Sequence, residues 1–442
     1  MKAFIKSTAL FTFIILPMAF QGCEDILGED INSNPNSPTE VPITVIIPAV
    51  QVYIADVTGG DMSRFTSILV QHTEGAARSW NSFHTYASLT PASYNTLWNN
   101  IYENILIELK RSMTIAEARG FHHHKAISEV MLAYTLMMAT DVWDDMPYSE
   151  ALNGTSNQSP RFDTQEEIYN EIARLLADAI DLLNDNAGDL TLGDEDQYYN
   201  GDPQHWIKAA YALLARMHLH LQNYQEALDA TQQSFTSASD NLQYQYLDDV
   251  NAAPWFRFNR DRTGDIEFNF NMQNLMQDLN DTVRLALLSP TFRTSHPYFT
   301  SEATQELISY RELLFIEAEC RLRLGGSDNE VRTAYIEGVE ASFQHLQLGE
   351  DAADKYLSQE IINPAGDPIT LEHIITQKYI GLFTHPEVFS DWRRTNIPSL
   401  TPVTGLNIPV RFHYGSDELL FNANAPEPED INIFTDRVWW NR

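Results

Sequence analysis

Two short stretches of the chain bring together side chains able to hold a polyhydroxylated ligand. Arg78-Ser79-Trp80-Asn81-Ser82-Phe83-His84-Thr85-Tyr86 and Pro254-Trp255-Phe256-Arg257-Phe258-Asn259-Arg260 each interleave flat rings with amide, hydroxyl and guanidinium groups. Sugar rings present C–H faces that pack on flat side chains, and their hydroxyls take paired hydrogen bonds from Asn, Asp, Gln and Arg. Peptides use the same kind of surface. Trp80, Phe83 and Tyr86 fall close to the spacing of a single helix face. Ligand contact and simple plugging of this loop onto its scaffold therefore both fit. Trp255 and Arg257 belong to the second stretch, unusually aromatic and basic for so acidic a chain, and are candidate ligand contacts.

Catalytic and metal chemistry find less support. A glycoside hydrolase needs two carboxylates across the scissile bond, and Asp141, Asp144 and Asp145 are candidates. With 61 acidic residues in the chain, such pairs arise by chance. Pro147 follows closely and favours a turn, so these acids read as capping a structural corner with Trp143 and Tyr148 packed inside. There is no Gly-x-Ser-x-Gly elbow and no His-Glu-x-x-His helix, and Gly59-Gly60 is no phosphate loop. An enzyme is not expected. Adjacent residues of a helix point in different directions, so His122-His123-His124 cannot all face one ion; no metal and no cofactor are expected. His72 and His84 lack a ligand pattern, and Asp194-Glu195-Asp196 is at most a hard-ligand calcium loop.

The elements that must position these residues are helical. Leu97, Ile101, Ile105 and Leu109 share one face of a segment running from Tyr94 to Ala118. Further helices are expected at 44–73, 123–140 and 164–183, the last with Ile168, Ile172, Leu175, Ala179 and Leu182 as its stripe. Thr164 and Glu167 form its capping box. Across 205–235, Trp206, Ala210, Leu213, Met217 and Leu221 line one helix. After the turn Gln222-Asn223-Tyr224, Ala227 and Ala230 open a second, as in a TPR-like hairpin. A second hairpin is expected at 306–346, turning at Gly325-Gly326. The segments 75–93, 144–163, 185–204, 236–300 and 348–370 read as long polar or aromatic loops. Connectors longer than about 12–15 residues are usually functional, and binding surfaces gather on loops held by a rigid base.

Charge bounds the partners. The chain carries 28 basic and 61 acidic residues, a net −33, which disfavours nucleic acid and an anionic bilayer surface. Cys23 and Cys320 are its two cysteines; no disulfide framework is expected, and Cys320 reads as a buried small hydrophobe. Lys2 and Lys6, an apolar run from Ala9 to Phe20 and Phe20-Gln21-Gly22-Cys23 suggest a signal peptide over 1–22. Cys23 is the expected lipidation site, a diacylated anchor followed by a tether over 23–42 and one domain over 43–442. Cleavage near Ala19, leaving a stray thiol, is the alternative.

Taken together, these features resemble the SusD/RagB family, in its subgroup of SusD-like nutrient-binding outer-membrane lipoproteins of Bacteroidetes. The resemblance rests on the lipobox and Asp30-to-Pro38 tether, and on Thr140-Asp141-Val142-Trp143-Asp144-Asp145-Met146-Pro147-Tyr148-Ser149-Glu150-Ala151. It continues through the Trp206 hairpin, Glu317-Ala318-Glu319 to Gly325, and Ala334-Tyr335 to Phe343. Gln377-Lys378-Tyr379-Ile380 and Trp392-Arg393-Arg394-Thr395 complete it. Asp144 replaces a usual glycine, and Gly415 a common proline after Tyr414. The resemblance implies an all-α, mostly helical fold, with four TPR-like helix pairs packed against a loop-rich part. It also implies surface exposure on the outer membrane and binding of an oligomeric nutrient, glycan ahead of peptide. The implied partner is a SusC-like TonB-dependent transporter, with the ligand surface drawing on early loops such as that of Trp80. The alternative is a TPR-type interaction lipoprotein without a nutrient site of its own.

Overall fold

Helix starts follow the capping chemistry visible in the sequence. Thr164, Ser327 and Thr370 each close a capping box, and Asp202 accepts the first amides of a helix whose N1 residue is Pro203. The computed structural model describes residues 42–87, 89–153, 156–185, 192–247, 250–288 and 296–442. Cys23, with the leader and tether expected around it, lies outside them.

Helix α1 (Ile43–Val57) continues through a wide turn into α2 (Ser63–Leu69), followed by β1 (Thr73–Gly75), α3 (Arg78–His84) and α4 (Pro91–Ile101). Next come α5 (Ile107–Arg119), α6 (His122–Trp143), β2 (Met146–Pro147) and β3 (Phe162–Asp163). Helices α7 (Gln165–Asn184), α8 (Pro203–His220) and α9 (Tyr224–Thr231) precede an insertion. The insertion carries β4 (Leu242–Gln245), α10 (Pro254–Asp261), β5 (Ile266–Phe268), α11 (Phe270–Asp278) and α12 (Thr282–Leu288). The chain then runs through β6 (Thr304–Ile308), α13 (Tyr310–Arg323), α14 (Asp328–His345), α15 (Glu350–Leu357), α16 (Leu371–Gly381), α17 (Glu387–Thr395) and α18 (Ser416–Phe421).

The protein is mostly helical, as expected. Helices α5 to α9 pack in succession, each on the next, and α9 then packs on α13, which packs on α14 and α16. The two hairpins read from the sequence are therefore neighbours, although the insertion separates them in the chain. Small residues permit the close approach: Ala209, Ala210, Ala212, Ala227 and Ala230 are buried. A Cβ on Gly338 of α14 would stand 2.9 Å from the Phe315 ring of α13. One large core runs through α1–α9 and α17, and a second, around Phe315, Tyr335, Phe343 and Tyr356, fills α13–α16. The segment 43–69 is long and apolar enough to cross a bilayer, but it lies mostly buried in this core.

The reading of 75–93, 236–300 and 348–370 as loop is corrected. They contain α3, α10, α11, α12 and α15, of 7 to 9 residues each. Helices this short complete too few turns for an apolar stripe to stand out. The antiparallel pair β4–β6 closes the base of the insertion, and β1–β5 joins its far part to the early loop.

Several histidines are buried without charge. Burial lowers His72 and His296 to about 3 and His345 to about 4. Below about pH 6.5 the unfolded chain binds protons that these folded rings refuse. Stability is therefore expected to fall as pH drops from 6.5 toward 4, by up to about 1.4 kcal/mol per pH unit for each ring. Urea midpoints at pH 7 and pH 5 test this. The fall should flatten in His72→Gln and His296→Gln, and an equally steep fall in both variants would contradict it.

Candidate binding cleft and buried polar network

Pairing of β1 with β5 places Thr73 opposite Phe268 and Gly75 opposite Ile266. That register carries α3 to the side of α10, so the two aromatic stretches converge: the Trp80 ring meets Phe258 edge-on at 5.4 Å. Trp80 is half-buried there. Phe83 and Tyr86 turn into the core, Phe83 stacking on Phe65 at 4.8 Å. Trp255 is 3% exposed and donates from Nε1 to Ser63 Oγ at 2.9 Å. Phe83, Tyr86 and Trp255 thus offer no ring face to solvent: Trp255 packs behind Phe258, Phe83 packs against Phe65 and Tyr94, and Tyr86 packs against Phe434. Phe83 lies one turn on from Trp80 and faces the core from α3, whereas Tyr86 follows the end of that helix at φ +60° and is turned inward by the backbone there.

In front of Phe258 lies an open cleft of about 450 Å³. It is floored by Val57, Gly60 and Leu97 and walled by α1 on one side and α10 on the other. Arg257 lines it and donates to Asp56 Oδ1 at 2.7 Å, an oxygen that also accepts from Tyr246 Oη at 2.6 Å. Arg64 donates to Asp61 at 2.8 Å, and its guanidinium lies 4.8 Å over the Phe258 ring. Asn100, Asp261 and Arg262 complete the polar lining. Tyr53 stands at the mouth, 44% exposed. It is an uncovered flat ring beside fixed donors and acceptors, which is the chemistry a sugar or a peptide engages. Reading the sequence missed Tyr53, Asp56, Asp61 and Arg64. The available signal was a polar ring and two acids interrupting an otherwise apolar helix.

A second groove of about 430 Å³ has an apolar floor of Leu106, Leu132 and Ile168 and a charged rim that includes Lys110, Arg161 and Glu171. The rim groups are engaged with one another or with the backbone. Tyr148 donates to Glu171, Arg161 to Glu167, and Lys110 to the Ala151 carbonyl.

Among the described residues, one set of metal-ligand side chains converges to within 4.8 Å: Asp141, His220 and Glu387. Their atoms are already engaged. His220 Nε2 meets Glu387 Oε1 at 2.7 Å, Tyr169 Oη bridges Asp141 Oδ1 (2.6 Å) and His220 Nδ1 (2.8 Å), and Trp440 Nε1 donates to Asp141 at 2.8 Å. Burial opposes charge on His220, but Glu387 and Asp141 outweigh it and raise its pKa. Hydrogen bonds from Tyr169, Trp440 and His220 thus satisfy both carboxylates within the protein. His122, His123 and His124 belong to no such set. Asp196 accepts from Gln51, Trp206 and the Gly201 amide, and is a structural hub.

The structural corner Asp141–Ala151 has its own device. Asp144 sits at φ +71°, ψ −126°, a region that favours glycine. Its carboxylate takes the Trp439 amide at 2.7 Å and the Arg442 guanidinium. The side chain that replaces the usual glycine therefore gives the strained position bonds to the C-terminus.

A family model described as "Starch-binding associating with outer membrane", SusD-like, matches residues 35–291 and 289–415. No curated protein sequence matches. A solved SusD/RagB family protein from Bacteroides thetaiotaomicron is 22% identical, with a TM-score of 0.74 over 91% of this chain and 99% of that one. A chitin-binding protein, also 22% identical, has a TM-score of 0.76 over 91% and 100%. A chitin-binding SusD homolog from Flavobacterium johnsoniae is 19% identical, with a TM-score of 0.69 over 90% and 96%.

Proposed function

The chain belongs to the SusD-like family of outer-membrane-associated starch-binding proteins, and from that premise we propose that it captures an oligomeric nutrient at the cell surface and delivers it to a TonB-dependent transporter. Glycan is preferred over peptide as the ligand. The observation that carries the binding proposal is the cleft between α1 and α10, where the exposed Tyr53 ring stands beside Asp56–Arg257 and Asp61–Arg64. Paired carboxylate and guanidinium groups match vicinal hydroxyls, and a flat ring matches a pyranose face. The chitin-binding relatives share the fold. In this reading Cys23 anchors the protein by its lipid, Trp80 and Arg257 shape the site, Trp255 holds its wall, and Phe83 and Tyr86 belong to the core. No catalysis is assigned.

Calorimetry of the mature domain against neutral oligosaccharides and peptides tests the proposal. Saturable glycan binding is expected, weakened about 10-fold in Tyr53→Ala by loss of one aromatic anchor. Trp80→Ala should weaken it less, because Trp80 acts through Phe258. Binding that ignores Tyr53→Ala would move the ligand elsewhere. Binding of peptides alone would make the nutrient a peptide, and silence across both classes would favour the interaction-protein alternative.

A further inference from the structure

The same cleft has an electrostatic property that its family membership does not supply. In a chain of net −33, its lining holds three acids (Asp56, Asp61, Asp261) and three arginines (Arg64, Arg257, Arg262), a balance of zero. Arg64 and Arg257 are each hydrogen-bonded to an aspartate of the same cleft, at 2.8 Å and 2.7 Å. Arg262 lies 4.0 Å from the buried Asp265. An arginine reads a carboxylate or sulfate best through its planar fork, and here Arg64 and Arg257 each give one Nη2 N–H to an aspartate of the cleft, so an incoming anion competes with that carboxylate for the same guanidinium.

We infer that the cleft selects by charge: it takes neutral oligosaccharides and turns away chains bearing uronate or sulfate groups. This rests on the glycan reading of the cleft and narrows it. An anionic sugar drawn to Arg257 or Arg64 would compete with Asp56 or Asp61 and sit beside that aspartate as a second anion, and at Arg262 it would sit near the buried Asp265. It would approach against the field of a strongly acidic protein. A neutral sugar meets neither obstacle. Its hydroxyls donate to the aspartates and accept from the arginines while both ion pairs stay in place.

The test is an array of neutral and of uronate- or sulfate-bearing oligosaccharides, probed at about 20 mM salt, where screening is weakest. Wild-type protein and Asp56→Asn/Asp61→Asn are compared. Wild type is expected to bind neutral chains only. The double variant, with two guanidinium groups released from anionic partners, should gain acidic-chain binding of tenfold or more, lost again in salt. Thermal unfolding of the variant checks that it is folded. Wild type binding an acidic chain as tightly as a neutral one, with Tyr53→Ala weakening both, would overturn charge selection and leave nutrient capture standing. A folded variant that gains nothing would also overturn it. Silence of both proteins across the whole array would remove the glycan reading together with this inference.

Discussion

Trp440→Ala is expected to destabilise the protein by about 3–5 kcal/mol, the usual cost of emptying a buried aromatic site. The ring is 7% exposed, stacks on His220 at a centroid distance of 5.0 Å and lies 5.1 Å beneath the Arg393 guanidinium. Its indole N–H donates to Asp141. Truncation opens water to His220, held between carboxylates, and to Arg393, whose guanidinium donates to the backbone carbonyls of Asp141 and Val410. At roughly 2 °C per kcal/mol for a chain of this size, the loss is about 6–10 °C in calorimetric Tm. Trp440→Phe keeps the stacking and loses only the N–H, so it should recover more than half of that. An unchanged Tm in Trp440→Ala would mean that the C-terminus does not dock as described.

Arg216→Met should be comparably severe for a different reason. Arg216 is 4% exposed and Glu312 fully buried; they share two hydrogen bonds of 2.8 and 2.7 Å, and Glu387 lies 3.5 Å from the same guanidinium. Removing the cation leaves Glu312 buried without its partner, at a cost of about 3–5 kcal/mol. Because the penalty belongs to the orphaned charge, Arg216→Met/Glu312→Leu should regain most of it. Urea unfolding of the two variants gives the comparison. A double variant no more stable than the single one would assign the loss to packing between α8 and α13 instead.

The main helices were legible because their determinants are local. Thr164 with Glu167, Asp202 with Pro203, and the stripe from Trp206 to Leu221 each lie within a few turns, and caps and stripes act through neighbours in sequence. The site was legible only in part. Of the aromatic residues read as ligand contacts, Phe83, Tyr86 and Trp255 are buried, and Trp80 is half-buried against Phe258. Composition could not say which rings face outward. That depends on how α3 and α10 rotate when they dock, and the β1–β5 register sets it across 190 residues of chain. Tyr53 was hidden because its helix is apolar on nearly every side, so periodicity gave it no separate face.

From the sequence alone came the helical class, the two hairpins, the excess of acid and the motifs that carry the family resemblance. Each is a property of residue type or short spacing. Tertiary structure decided that the insertion folds back beside the early loop, that Phe83, Tyr86 and Trp255 are buried and that Tyr53 fronts the cleft. It also decided that Arg64 and Arg257 are committed to aspartates. Those outcomes depend on contacts between segments far apart in the chain, and such contacts form only when burying apolar surface outweighs the entropy of closing the loops between them.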